Sequence, residues 1–284
     1  MGIPGLPRPG QEVFSLHGSG QTGVHRFVCN ETIKPDMDIL FFPSLESTNT
    51  RAEELAAGGA KSGTVVWALE QTAGLGQYGR SFASPSGGLY CSLILRPDME
   101  IAEFSLVTLA AGLGCVEVIM EKMPGLQPKM KWPNDVYIRG KKVAGILSRA
   151  LPPRPGSGPV VIIGVGINVN SAVHDFPAAI RKKITTLYTV TGSRSDLNSI
   201  LTVVINAILE KVRLLKTDKH KLLAEWDRHD YLRGKSIQWV TPLQTIYGQG
   251  TGILPDGRYG LRERSGEVHA VAGGSLELYD DPAE

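Results

Sequence analysis

The sequence lacks what marks a nucleic-acid binder, a membrane span or a disulfide scaffold. Its 30 Lys and Arg nearly cancel its 28 Asp and Glu, leaving a formal net charge of +2 over 284 residues. Such a balance gives no electrostatic reason to bind nucleic acid or an anionic membrane. No segment offers the roughly 18 uninterrupted apolar residues that a bilayer span requires. Only three cysteines occur, Cys29, Cys91 and Cys115. An odd number without metal-ligand spacing reads as free thiols in a reducing compartment. The six histidines (His17, His25, His174, His220, His229 and His269) form neither a metal pattern nor a catalytic triad. The Pro/Gly-rich start is unlike a signal peptide, and Leu6 stands where a myristoylation site needs Ser or Thr. A cytoplasmic protein is expected, with an organellar address left open. What remains is a globular composition, 42% apolar and 20% charged, long enough for one large domain or two ordinary ones.

The chain is organised around Glu70-Gln71-Thr72-Ala73-Gly74-Leu75-Gly76-Gln77-Tyr78-Gly79-Arg80-Ser81-Phe82. Gly74, Gly76 and Gly79 let the backbone approach a ligand, and successive N–H groups there can cradle phosphate or carboxylate oxygens. Arg80 adds a permanent cation that can fork onto the same oxygens. The run Thr64 to Leu69 leads in as a buried strand. A dinucleotide fingerprint would need a helix after the last glycine. Ser81 to Gly88 cannot be one, and Leu89 to Leu95 is the next strand, so a nicotinamide or flavin site is rejected. A merely structural glycine hairpin stays open on the loop alone.

Residues 1–34 read as a loose extension with a weak strand around Val24 to Cys29. Order begins at Asp38 to Pro43. A helix over Glu46 to Ala57 follows, with Ser47 or Thr48 as N-cap and Thr50-x-x-Glu53 as a capping box. Its Ser47-Thr48-Asn49 start either only caps the helix or also binds a polar ligand. Ala102 to Met123 reads as a buried helix whose Gly112 and Gly114 imply close packing. Lys129 to Leu147 reads as a hairpin turning at Arg139-Gly140. That register places Tyr137 opposite Lys142 and Asp135 opposite Ala144, with Asp135 and Lys142 a diagonal pair roughly 7–8 Å apart. The pair is either a surface ion pair or functional. A Pro/Gly loop spans Pro152 to Pro159. Val160 to Asn170 is a central strand that delivers Asn168 to its end, as a turn former or a ligand donor. Helices follow from Ser195 or Asp196 to Thr217 and from Asp218 to Tyr231. From Arg233 short strands and the turns Pro255-Asp256-Gly257 and Arg264-Ser265-Gly266 make a small antiparallel barrel. A boundary is therefore placed near 232.

Five segments stand in one order: Ser47-Thr48-Asn49; Gln71-Thr72-Ala73-Gly74-x-Gly76-Gln77-x-Gly79-Arg80; Lys131-Trp132-Pro133-Asn134-Asp135; Lys142-Val143-Ala144-Gly145-Ile146-Leu147; and Gly164-x-Gly166-Ile167-Asn168-Val169. Together they resemble the biotin–protein ligases, from about Asp38 to Leu278. The resemblance is to the ligase-only type, with no DNA-binding domain ahead of the catalytic part. It implies an α+β fold, a mixed sheet of the class II aminoacyl-tRNA-synthetase-like, biotin–lipoate ligase kind packed with helices, plus an SH3-like C-terminal barrel. The implied units are 1–34, an extension; 35–232, catalytic; and 233–284, SH3-like. The implied activity joins biotin to ATP as biotinyl-5′-AMP and transfers it to a lysine of a biotin carboxyl carrier domain. Mg²⁺ is implied with ATP, near Asp135, and nucleic acid and membrane are not implied as partners. A homodimer is left open.

By the same resemblance Lys142, Arg80 and Asp135 are the catalytic residues. Ser47, Thr48, Asn49, Gln71, Gly74, Leu75, Gly76, Gln77 and Lys142 would contact biotin. Gly74, Gly76, Gln77, Gly79, Arg80, Phe82, Lys131, Asn134, Asp135, Lys142 and Asn168 would contact ATP or the adenylate, with Phe82 stacking on adenine. The family usually carries Arg where this chain has Leu75, and a basic residue is common at Tyr78. A weaker grip on the intermediate is expected, in an otherwise active enzyme. Without ligand the loop 74–84 is expected to be mobile, and to order over the site with biotin and ATP. The alternatives are a lipoate–protein ligase of the same fold, or a non-catalytic biotin-binding or carboxylase-docking module.

Overall fold

The computed structural model describes residues 25–27, 37–100, 103–152 and 158–279. Apart from one short strand, the expected N-terminal extension lies outside the described residues, as does Cys29. An eight-stranded sheet runs β1-β2-β3-β4-β8-β7-β6-β5. Its strands are β1 (His25–Phe27), β2 (Ile39–Phe42), β3 (Val65–Ala68), β4 (Leu89–Leu95), β5 (Lys129–Lys131), β6 (Asp135–Ile138), β7 (Lys141–Leu151) and β8 (Val160–Ile167). Only β2 and β3 pair in parallel, Ile39 opposite Val65; the other pairings are antiparallel. Strands β3, β4 and β8 are buried along their whole length. Their continuous apolar runs therefore mark the middle of a sheet covered on both faces.

One face is covered by α1 (Thr48–Ala57), whose Ala52 and Ala56 pack on Val66, Ile94 and Ile162. Its N-cap is Ser47, which accepts from Thr50 N–H. The expected Thr50 capping box is therefore not what starts this helix. The other face carries α2 (Phe104–Lys122) and, after the short α3 (Leu187–Thr191), α4 (Leu197–Thr217) within one large core. Helix α2 has the length and mean hydropathy, 1.7, of a membrane span, but 78% of that window is buried in the protein. A Cβ on Gly114 would press on the α4 backbone at Ala207 and Ile208, so glycine there permits the close helix approach the sequence implied. Lys211 of α4, 6% exposed, reaches Glu117 of α2 at 2.5 Å and Glu225 of α5 (Lys219–Arg228) at 2.9 Å. Burial opposes its charge, yet the two carboxylates more than offset this and hold its pKa above the usual value.

A five-stranded antiparallel sheet follows, in the order β12-β11-β10-β9-β13. Its strands are β9 (Ser236–Val240), β10 (Thr245–Ile253), β11 (Tyr259–Arg262), β12 (Val268–Val271) and β13 (Ser275–Leu278). Strand β12 escaped sequence reading because Val268-His269-Ala270-Val271 is too short and mixed to show a period. The core is continuous between the two sheets, joining Ile237, Tyr259 and Leu276 to Trp226 and Leu232.

Candidate active site

Four elements converge on one cleft with a cavity volume of about 140 Å³. The first is the start of α1. Thr48 N–H and Thr48 Oγ1 both donate to Gln71 Oε1, at 2.8 and 3.1 Å, and Gln71 Nε2 donates to Ser84 Oγ at 2.8 Å. Ser92 Oγ of β4, fully buried, lies 2.8 Å from Thr48 Oγ1 and 2.6 Å from Asn49 Oδ1. Asn49 Nδ2 donates to Leu147 O at 3.2 Å. These hydroxyls and amides are fixed by one another before any ligand arrives, which is what a preorganised polar site requires. Ser47 both caps the helix and lines the cleft.

The second element is the glycine loop. It is a narrow hairpin, bridged at Gln71–Ser84 and Leu75–Ser81. Phe82 N donates to Gly74 O at 2.8 Å and Gly76 N to Arg80 O at 2.7 Å. Gly74 is packed so that a Cβ would collide with Phe82 O and Ser84 Oγ. Leu75, Gly76, Gln77, Arg80, Ser81 and Phe82 face the cleft.

The third element is the floor made by β7 and β8. A Cβ on Gly164 would overlap the Asn49 amide, and one on Gly166 would overlap the Phe82 ring. A Cβ on Gly145 would likewise crowd Phe82 and the Lys142 side chain. Phe82 therefore packs over a glycine floor, with Lys142 Nζ 5.5 Å from its ring centroid.

The fourth is the β6–β7 hairpin, which turns at Arg139 (φ 50) and Gly140 (φ 76). Tyr137 faces Lys142 as expected, but Asp135 faces Gly145 and not Ala144, because the register shifts between Val136 and Tyr137. Such a bulge re-aims side chains. Lys142 Nζ reaches Asp135 Oδ1 at 2.6 Å, much closer than a regular diagonal pair, and both side chains are largely shielded, 27% and 20% exposed. Asn134 Nδ2 donates to Ile146 O at 2.7 Å and holds the hairpin entry beside the cis Trp132–Pro133 bond.

Of the residues singled out in the sequence, Gly74, Gly79, Lys131 and Asn168 lie outside the cleft lining. Gly79, at φ 73, serves the turn. Lys131 sits 5.6 Å from the Tyr137 ring, where burial pulls its pKa down against the pull of Asp135. Asn168 is buried and donates to Thr185 O at 3.0 Å, joining β8 to the following loop. Sequence reasoning missed Ser92 and Ser84, and it quoted Gly145, Gly164 and Gly166 without seeing a floor. The one serine in the apolar run Leu89 to Leu95 was the available signal. Away from the cleft, Glu263, Glu267 and His269 bring ligand atoms within 4.8 Å of one another, a grouping their spacing did not announce.

The biotin/lipoate A/B protein ligase family matches residues 41–168. The bifunctional ligase/repressor BirA of Bacillus subtilis is 35% identical over 84% of this chain and 74% of its own length. The chain belongs to the biotin–protein ligase family. The biotin–[acetyl-CoA-carboxylase] ligase of Mycobacterium tuberculosis is 29% identical over 82% of this chain and 86% of its own. Among solved structures, the biotin protein ligase of Aquifex aeolicus in complex with biotin and ATP superposes with a TM-score of 0.72, at 28% identity. That match covers 86% of this chain and 99% of the other. The mixed sheet with helices and the C-terminal antiparallel sheet are those of this family.

Proposed function

We propose that this chain activates biotin with ATP and transfers it to a lysine of a biotin carboxyl carrier domain. A carboxylate is a poor electrophile. One biotin carboxylate oxygen attacks the α-phosphorus of ATP in line, pyrophosphate leaves, and biotinyl-5′-AMP forms. The acceptor amine then attacks the acyl carbon, AMP leaves with the electron pair of the broken bond, and the amine proton passes to a base. In this reading Ser47, Thr48, Asn49 and Gln71 hold the polar end of biotin. The Gly76 to Arg80 segment holds phosphate oxygens, and Lys142 stabilises the charge that builds during attack. Asp135 orients Lys142 and is placed to take the proton of the incoming amine.

The observation that carries this reading is the position of Lys142. Its ammonium and the glycine hairpin border the same cleft, over a floor that admits no side chain. Two cations flanking a ligand channel suit an acyl-phosphate more than biotin alone. Mg²⁺ would enter with ATP. Asp135 is the one carboxylate at the cleft among the described residues, and Lys142 already engages it. Phosphates and water would therefore be the main ligands of the ion, as Mg²⁺ commonly prefers. The catalytic unit is taken as residues 35–232 and the C-terminal unit as 233–284. The proposal places the enzyme in the cytoplasm, acting on a protein and not on nucleic acid or a membrane; a homodimer is compatible with it.

Incubation with biotin, MgATP and a carboxyl carrier domain, followed by streptavidin detection, tests the transfer. Labelling of one acceptor lysine that requires all three components is expected. No labelling with any such acceptor would overturn the reading.

A further inference from the structure

The glycine hairpin is tied at its root by Gln71 and Ser84, but its tip reaches across to the other sheet. Tyr78 sits at that tip with φ 55 and ψ 35, a left-handed conformation uncommon for a bulky residue. Its side chain is 64% exposed, yet its hydroxyl is held on both sides. Gly274 N–H donates to Tyr78 Oη at 3.0 Å, and Tyr78 O–H points at Gly274 O, 3.4 Å away. Gly274 lies in the turn between β12 and β13 at φ 87, where a Cβ would press on Trp239 Nε1 and Val240 O at 2.7 Å. That turn is itself fixed, because Trp239 Nε1 donates to Gly273 O at 2.7 Å. The anchor is therefore rigid backbone, and the strained residue is the one that reaches it.

We propose that Tyr78 is a positioning residue that latches the hairpin tip to the C-terminal sheet, so that this sheet sets how firmly Gly76 to Arg80 close over the bound adenylate. A loop restrained only at its root samples many open states, and a second restraint at the tip removes most of them. The inference deepens the ligase reading and rests on it for the word adenylate, but the latch itself does not.

The test is Tyr78→Phe, which removes only an exposed hydroxyl and leaves the fold intact. In ligand-free protein, amide-exchange protection at residues 76–80 and at Gly274 is expected to fall about 5-fold, the factor one net hydrogen bond supplies. With biotin and MgATP, the half-life of retained biotinyl-AMP is expected to fall, and KM for ATP to rise, by a similar factor. The kcat for adenylate formation is expected to move less than twofold. Unchanged protection at either segment overturns the latch, and so does a loss confined to kcat. If protection falls but neither variant nor wild type makes adenylate, the latch stands and the ligase reading fails.

Discussion

Leu75 puts an apolar side chain on the glycine hairpin where the family resemblance implies an arginine. It lines the cleft and bridges to Ser81 across the hairpin, so a guanidinium at this position would border the same cleft as Arg80 and Lys142. A charged hydrogen bond there is worth about 1.5–3 kcal/mol when shielded. Leu75→Arg should therefore prolong retention of biotinyl-AMP by about 10-fold or more, measured by gel-filtration trapping of the labelled intermediate. Equal retention in both proteins would mean that Arg80 and Lys142 already supply the whole grip. At this scale the sequence was readable where residue type and motif coincide, as at Lys142, Arg80 and Gln71. It was silent on Ser92, whose role depends on α1 being folded against β4. Neither is it visible in sequence that Asn168 spends its amide on Thr185, because that partner belongs to a separate loop.

Among the elements, the hairpin of β6 and β7 shows both the reach and the limit of pattern reading. Arg139-Gly140 announced its turn, and Tyr137 opposite Lys142 followed from it. The bulge beyond it carries no local signature, yet it is what opposes Asp135 to Gly145 and lets Lys142 close on the carboxylate. Strand β8 is the other element on which the site depends. Its buried run was evident, but why Gly164 and Gly166 interrupt it becomes clear only when Asn49 and Phe82 are seen lying on them. Gly164→Ala should displace the Asn49 amide from Ser92 and Leu147. We expect a cost of about 1–3 kcal/mol in stability from overpacking. Calorimetric titration should show biotin affinity at least about 10-fold weaker, since preorganised partners are lost. Unchanged affinity would remove Asn49 from the biotin site.

At the scale of the whole molecule, the individual strands, the buried helices and the small antiparallel C-terminal unit were legible from hydrophobic periodicity and turn residues, whereas the mixed sheet followed from the family resemblance. How the two sheets meet was not. Tyr259 O–H donates to Asp230 Oδ2 at 2.7 Å and Trp132 Nε1 to Gly257 O at 3.0 Å, contacts between segments far apart in the chain that no local pattern encodes. The central claim is that one ammonium and one amide-lined hairpin close on the same acyl-phosphate. Biotin-dependent exchange of labelled pyrophosphate into ATP measures its formation without any acceptor protein. The account predicts exchange with biotin but not with lipoate, and a loss of at least about 100-fold in Lys142→Ala that still binds biotin. Exchange that is as fast in Lys142→Ala as in wild type, or that lipoate supports equally, would contradict it.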